Sequence, residues 1–228
     1  MRFFGIEIEK KTDILAFAAF LLSVSSIMYQ VTIYFRGPQV SLGRPREIIL
    51  YMQQPPGTND IERRRLTFVS TTTYVNSAPP GKNAVVLNQI VNFTLNGKQY
   101  NYDWYQFVTL SFKPPSTNEM DRKELGVVES KTASPFVVPA GGAEAREIWF
   151  GPRFNEEFIN PSDIRREFTS VMNLNKQHIF WSFRFKAEYL NDDNDSELCN
   201  VKITGTIIEN ILTPEIGWAS LSCVAPEP

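Results

Sequence analysis

Two cysteines, Cys199 and Cys223, and a single histidine, His178, are the residues here with the best-known reactive side chains. A structural zinc site wants four nitrogen or sulfur ligands, and this set falls short of it. A disulfide is the chemistry that remains, with buried free thiols as the alternative. Closing a 24-residue separation stabilises by about 3 kcal/mol on the loop-entropy view. Such a bond persists in an oxidising compartment, so it is tied to where the C-terminal region resides.

Catalytic arrangements are missing. The chain has no G-x-S-x-G, H-E-x-x-H, Walker lysine loop or G-x-G-x-x-G. Nothing marks a partner for His178, which reads as a strand-end histidine. The acidic stretch "NDDNDSE" (Asp192, Asp193, Asp195, Glu197) lacks the turn glycine of an EF-hand, so a solvated hairpin tip is expected rather than a calcium loop. Glu156 and Glu157, like Asp192 and Asp193, are adjacent, and adjacent strand residues point to opposite faces, which argues against a glycosidase pair. The sequons at Asn92 and Asn194 do not decide the source. No cofactor motif and no metal-ligand set emerges. With a net charge of −2 and its charges dispersed, the chain has no basic footprint for nucleic acid.

The segment "YNYDWYQF" carries aromatic rings at both strand parities. Tyr100, Tyr102 and Trp104 are expected in the core, leaving Tyr105 and Phe107 together on the opposite face as candidate contact aromatics.

Elements must position these residues, and the first is a span. From Ile14 to Phe35 there is no charge for 22 residues, roughly 33 Å of helix against a hydrocarbon core of about 30 Å. No A-x-A cleavage pattern follows, so an uncleaved anchor is expected rather than a signal peptide. Arg2, Lys10 and Lys11 before the span balance Arg36, Arg44 and Arg46 after it, and the charge rule is tied. The disulfide and the β-rich body that follows favour a cytoplasmic N-terminus. Ala16, Ala19, Ser23, Ser26 and Gln30 share one helical stripe, a candidate packing surface for another transmembrane helix.

Beyond the span the pattern alternates. Asn96-Gly97 predicts a two-residue type I′ turn, which pairs Phe93 with Tyr100, Val91 with Tyr102 and Gln89 with Trp104. In "HIFWSFRFKAEYL", Trp181, Phe183, Phe185, Ala187 and Tyr189 take one face, and "LCNVKITGTII" returns with Cys199, Val201 and Ile203 inward. Further strands are expected in "REIILYMQ", "RLTFVSTTTYV", "PFVVPA" and "AREIWFGP". One short helix is expected in "SDIRREFTSVM", with Ile164, Phe168, Val171 and Met172 on its apolar stripe and Ser162 or Asp163 as its cap.

These elements predict a mainly β protein: a tail at 1–13, a transmembrane helix at 14–35, a stalk at 36–46, and an immunoglobulin-like antiparallel β-sandwich at 47–224. A jelly roll or small barrel is the alternative. The layout resembles many single-pass proteins with an immunoglobulin-like domain outside the membrane. The expected function is non-enzymatic binding or assembly in a membrane complex, with a protein partner or self-association through the span or the sheet surface. A ligand- or carbohydrate-binding sensor is second, and an extracytoplasmic hydrolase third.

Overall fold

The computed structural model describes residues 2–3, 6–7, 12–55, 57, 60–113, 124–152, 158–172, 178–190, 194–214 and 216–224, with backbone alone at 2, 3, 6, 7, 12, 13, 34, 112, 113, 124, 171 and 172. It divides into two compact units, Met1–Pro38 and Gln39–Pro228.

In the first unit β1 (Arg2–Phe3) pairs antiparallel with β2 (Ile6–Glu7), and α1 spans Thr12–Phe35. Its Ile14–Ile33 stretch has mean hydropathy 1.9, and none of it is buried. The helix is therefore long and apolar enough to cross a membrane. Ser23 Oγ donates to the Ala19 carbonyl (2.9 Å) and Thr32 Oγ1 to that of Met28 (2.7 Å). These hydroxyls are satisfied within the helix, so Ser23 does not need a second helix for a partner.

The second unit is built on an antiparallel sheet. Its strands are β3 (Val40–Gly43), β4 (Glu47–Gln53), β5 (Arg65–Asn76), β6 (Ala84–Leu95), β7 (Lys98–Lys113), β8 (Glu124–Thr132), β9 (Phe136–Val138), β10 (Ala143–Pro152), β11 (His178–Tyr189), β12 (Asn194–Thr204) and β13 (Trp218–Ser222). The hydrogen-bond ladder runs β12-β11-β6-β7-β10-β5-β4-β13, with β3 added on β5, β8 on β7 and β9 on β6. This is one curled sheet of near-barrel form, and the ladder does not divide into the two separate sheets of the expected immunoglobulin-like layout. Part of the segment expected as a stalk, 36–46, takes strand form. Val40–Gly43 is a strand on β5, Leu42 is buried, and the domain begins at Gln39.

The Asn96-Gly97 turn has φ of 52° and 73°, as a type I′ turn requires, and the register follows: Val91 opposes Tyr102 and Phe93 opposes Tyr100. The ladder stops at Ile90–Asp103, short of Gln89–Trp104, and β6 pairs with β9 farther back, at Ala84–Val86. In β11 and β12 the expected inward residues, from Trp181 to Tyr189 and from Cys199 to Ile203, are all buried.

Rings fill the middle of the barrel. Phe68 stacks on Tyr102 and Phe150, both at 5.2 Å, and meets Phe93 and Phe183 edge-on at 5.9 and 5.4 Å. Tyr102 donates its hydroxyl to the Leu66 carbonyl (2.7 Å), so its polar end is satisfied inside the core.

Two α-helices cover one end, against the single helix expected. α2 (Pro161–Met172) buries Ile164 and packs Phe168 on the core, while the side chains of Val171 and Met172 lie outside the described residues. Its cap is Asn160, whose Oδ1 accepts from the Asp163 amide (3.0 Å), with Pro161 opening the first turn in place of the anticipated Ser162 or Asp163 cap. α3 (Gly205–Leu212) begins inside the stretch read as a returning strand. A Cβ at Gly205 would lie 3.2 Å from Phe168 Cζ, so the glycine admits the ring of the neighbouring helix.

Candidate functional site

The candidate contact pair Tyr105 and Phe107 is separated by a bulge. Ile148 opposes Phe107 and Trp149 opposes Gln106, but Phe150 opposes Trp104, which leaves Tyr105 as the extra residue. The parity of β7 flips there. Phe107 turns to the core side and meets Trp104 edge-on at 5.5 Å, while Tyr105 stays 61% exposed. The two rings do not share a face.

Another set of aromatics does share one, and the sequence reading did not single it out. Ile48 and Leu50 face the main core, whereas Ile49 between them faces outward yet is only 3% exposed. Val69 and Trp149 repeat this in β5 and β10, and the register aligns Ser220, Ile49, Val69 and Trp149 in one row across four strands. The adjacent row brings Trp218 opposite Tyr51 and Tyr51 opposite Thr67. Tyr51 and Trp149 meet edge-on at 5.9 Å, and Val108, Leu110 and Leu125 extend the cluster from β7 and β8. The result is a second, outer apolar cluster in which Tyr51, Trp149 and Trp218 stay half-exposed over buried Ile49 and Val69. Two sequence signals could have found it: the unbroken run Ile48-Ile49-Leu50-Tyr51-Met52 and the neighbours Trp149-Phe150, each apolar at both parities.

Phe107 lines a separate cleft of about 310 Å³ with Thr109, Glu129, Lys131, Arg146 and Glu147, formed where β7 leaves β10 to run with β8. The Arg146 guanidinium pairs with Glu144 (2.6 Å) and lies 5.2 Å above the centre of Phe136. Lys131 pairs with Glu129 (3.0 Å), and Glu147 accepts from the Leu110 amide (2.9 Å). Each of these charges already has a partner within the chain, so the cleft offers apolar contact more than a free ionic group.

The cysteines form a disulfide, Cys199–Cys223, with Cα atoms 5.0 Å apart. His178 stands at the start of β11 and meets Phe180 edge-on at 5.4 Å. In the acidic stretch, Asp195 accepts from the Leu42 amide (2.7 Å) and Glu197 pairs with Arg44 (3.4 Å), so both serve the fold. Asp192, Asp193, Glu156 and Glu157 lie outside the described residues. Asn92 is half-buried within the ladder, between Asn101 and Arg184, and Asn194 is exposed.

No protein-family model and no curated protein matches the chain. Among solved structures it is similar to a protein from Archaeoglobus fulgidus, at 12% identity and a TM-score of 0.37, over 72% of this chain and 97% of that one. It is also similar to Spo0M, a sporulation control protein from Bacillus subtilis, at 9% identity and a TM-score of 0.31, over 76% of this chain and about half (53%) of that one. Likenesses this distant say nothing of function.

Proposed function

We propose that the chain is a membrane-anchored, non-enzymatic binding or assembly protein. α1 serves as a single uncleaved span with residues 1–13 in the cytoplasm, and the β domain works outside. The observation that carries the binding role is the outer cluster: Tyr51, Trp149 and Trp218 stand half-exposed on one side of a sheet whose other side is filled. Large aromatics that are partly desolvated and held by a rigid sheet are the usual anchors of protein interfaces. The packed barrel centre disfavours a ligand held inside it. The disulfide supports an oxidising side of the membrane for the domain, where the charge rule is silent.

Cross-linking in intact membranes tests the reading. The full-length chain should stay with the membrane after alkaline carbonate extraction and yield a discrete adduct, either with itself or with a partner. Trp149→Ala should weaken that adduct tenfold or more, and Tyr105→Ala should leave it unchanged. Recovery of the chain in the soluble fraction, or adducts indifferent to Trp149, would sink the proposal. The cleft beside Phe107 favours the sensor reading second, and in that case Phe107→Ala would be the variant that abolishes binding.

A further inference from the structure

The curled sheet has a seam. β12 and β13 stand at opposite ends of the strand path, and one bridge joins β12 to the residues just after β13: the Asn200 amide donates to the Val224 carbonyl (3.2 Å) and the Val224 amide donates back (2.8 Å). Beside that bridge the Cys199–Cys223 disulfide links the same two segments. Elsewhere β12 is held to the first strands by the Asp195 carboxylate on the Leu42 amide. The seam is thus stitched at isolated points, while the other junctions on the path are ladders of five or more residue pairs.

β13 is the shortest strand on the path. It is five residues long, pairs on one side with β4, and buries the side chains of Ala219 and Leu221. It also carries Trp218, one of the three half-exposed aromatics of the outer cluster, opposite Tyr51. A strand laddered on one side only and covering few core groups is the first to detach in a local opening.

We propose that Cys199–Cys223 is a redox clasp on β13: oxidation closes the barrel and holds Trp218 in the outer cluster, and reduction releases the strand. That consequence for binding rests on the contact face proposed above, but the clasp itself does not. The reductant is a dithiol. One of its thiolates attacks Sγ of Cys223, the less buried of the two residues, since Cys199 is fully enclosed. The Sγ–Sγ bond breaks and Cys199 leaves as a thiolate that takes up a proton. The second thiol of the reductant then displaces Cys223. Two electrons and two protons have passed to the protein, and the reductant ends as its own disulfide.

Backbone hydrogen exchange on the full-length protein in detergent, with and without excess dithiothreitol, tests this. Reduction should accelerate exchange at Trp218–Ser222 at least tenfold while the amides of Phe68 and Val69 keep their protection. The Cys199→Ser/Cys223→Ser variant should match the reduced protein. Unchanged protection at Trp218–Ser222 would show that the seam holds without its covalent link. Loss of protection throughout β5 would show that the disulfide supports the whole domain rather than one strand. Either result overturns the clasp, and neither depends on a partner or a bilayer.

Discussion

Asn76 is wholly buried although polar, and its contacts explain why. Its Nδ2 donates to the carbonyls of Lys82 (2.9 Å) and Val138 (3.1 Å), and its Oδ1 accepts from the Ala78 amide (3.1 Å). One amide side chain thus ties the end of β5 to the loop that follows it and to the end of β9, using both its donor and its acceptor character. Asn76→Ala leaves those backbone groups without partners and should cost about 2–3 kcal/mol in a urea titration. Asn76→Asp should cost more at neutral pH, because a carboxylate would face two carbonyl oxygens. A smaller loss for Asp than for Ala would show that the two donated bonds matter little. The sequence "VNSAPPG" reads only as a strand end and turn. No local pattern tells that Val138, far along the chain, will come to the same asparagine.

At the scale of elements, the β6–β7 hairpin is the most legible piece, because turn chemistry and alternation agree on one register. Its tip is also held from outside: the Asn96 amide donates to Glu167 (2.6 Å) and its side-chain amide to the Asp163 carbonyl (3.1 Å). Gly97 has a φ of 73°, where a side chain is strained, while its Cβ position is otherwise open. Gly97→Val should therefore cost about 1–2 kcal/mol through backbone strain alone. The expected signature is a lowered thermal midpoint with the hairpin register unchanged by cross-strand NMR contacts. Farther along β7 the same alternation misleads, since the bulge at Tyr105 shifts the phase by one residue and carries Phe107 inward. β3, β8 and β13 carry no clear strand signal in the sequence, for a related reason. They are short or weakly alternating and gain their strand form from the neighbours they pair with.

For the whole molecule, the barrel interior sets an alkaline limit. Tyr74 is fully buried and donates to Gln89 Oε1 (2.6 Å). Burial foremost raises its pKa well above the usual 10.0, nearby Tyr189 adds to the rise, and Arg146 opposes it. Tyr189 is raised as well, by burial and then by Asp195, and its buried hydroxyl has no hydrogen-bond partner among the described residues. In the unfolded chain both phenols ionise near pH 10, whereas the folded state keeps them protonated. Their contribution is therefore fully present below pH 10 and is lost as the pH climbs from there towards the folded values. Phenolate absorbance should show at least two of the eight tyrosines ionising only together with unfolding. Smooth titration of all eight with the far-ultraviolet dichroism intact would contradict this.

The sequence by itself determined what short-range physics controls: an uncharged helix of membrane-spanning length, the Asn96-Gly97 turn and its register, the inward faces of β11 and β12, and the cysteine pair. Each rests on composition, period or turn geometry within about two dozen residues. Only the tertiary structure decided that the strands curl into one sheet, that a bridge and a disulfide meet at its seam, and that Ile49, Val69 and Trp149 form a second apolar cluster outside it. Those depend on which distant strands lie side by side, and period two gives the face of each residue without naming its neighbour.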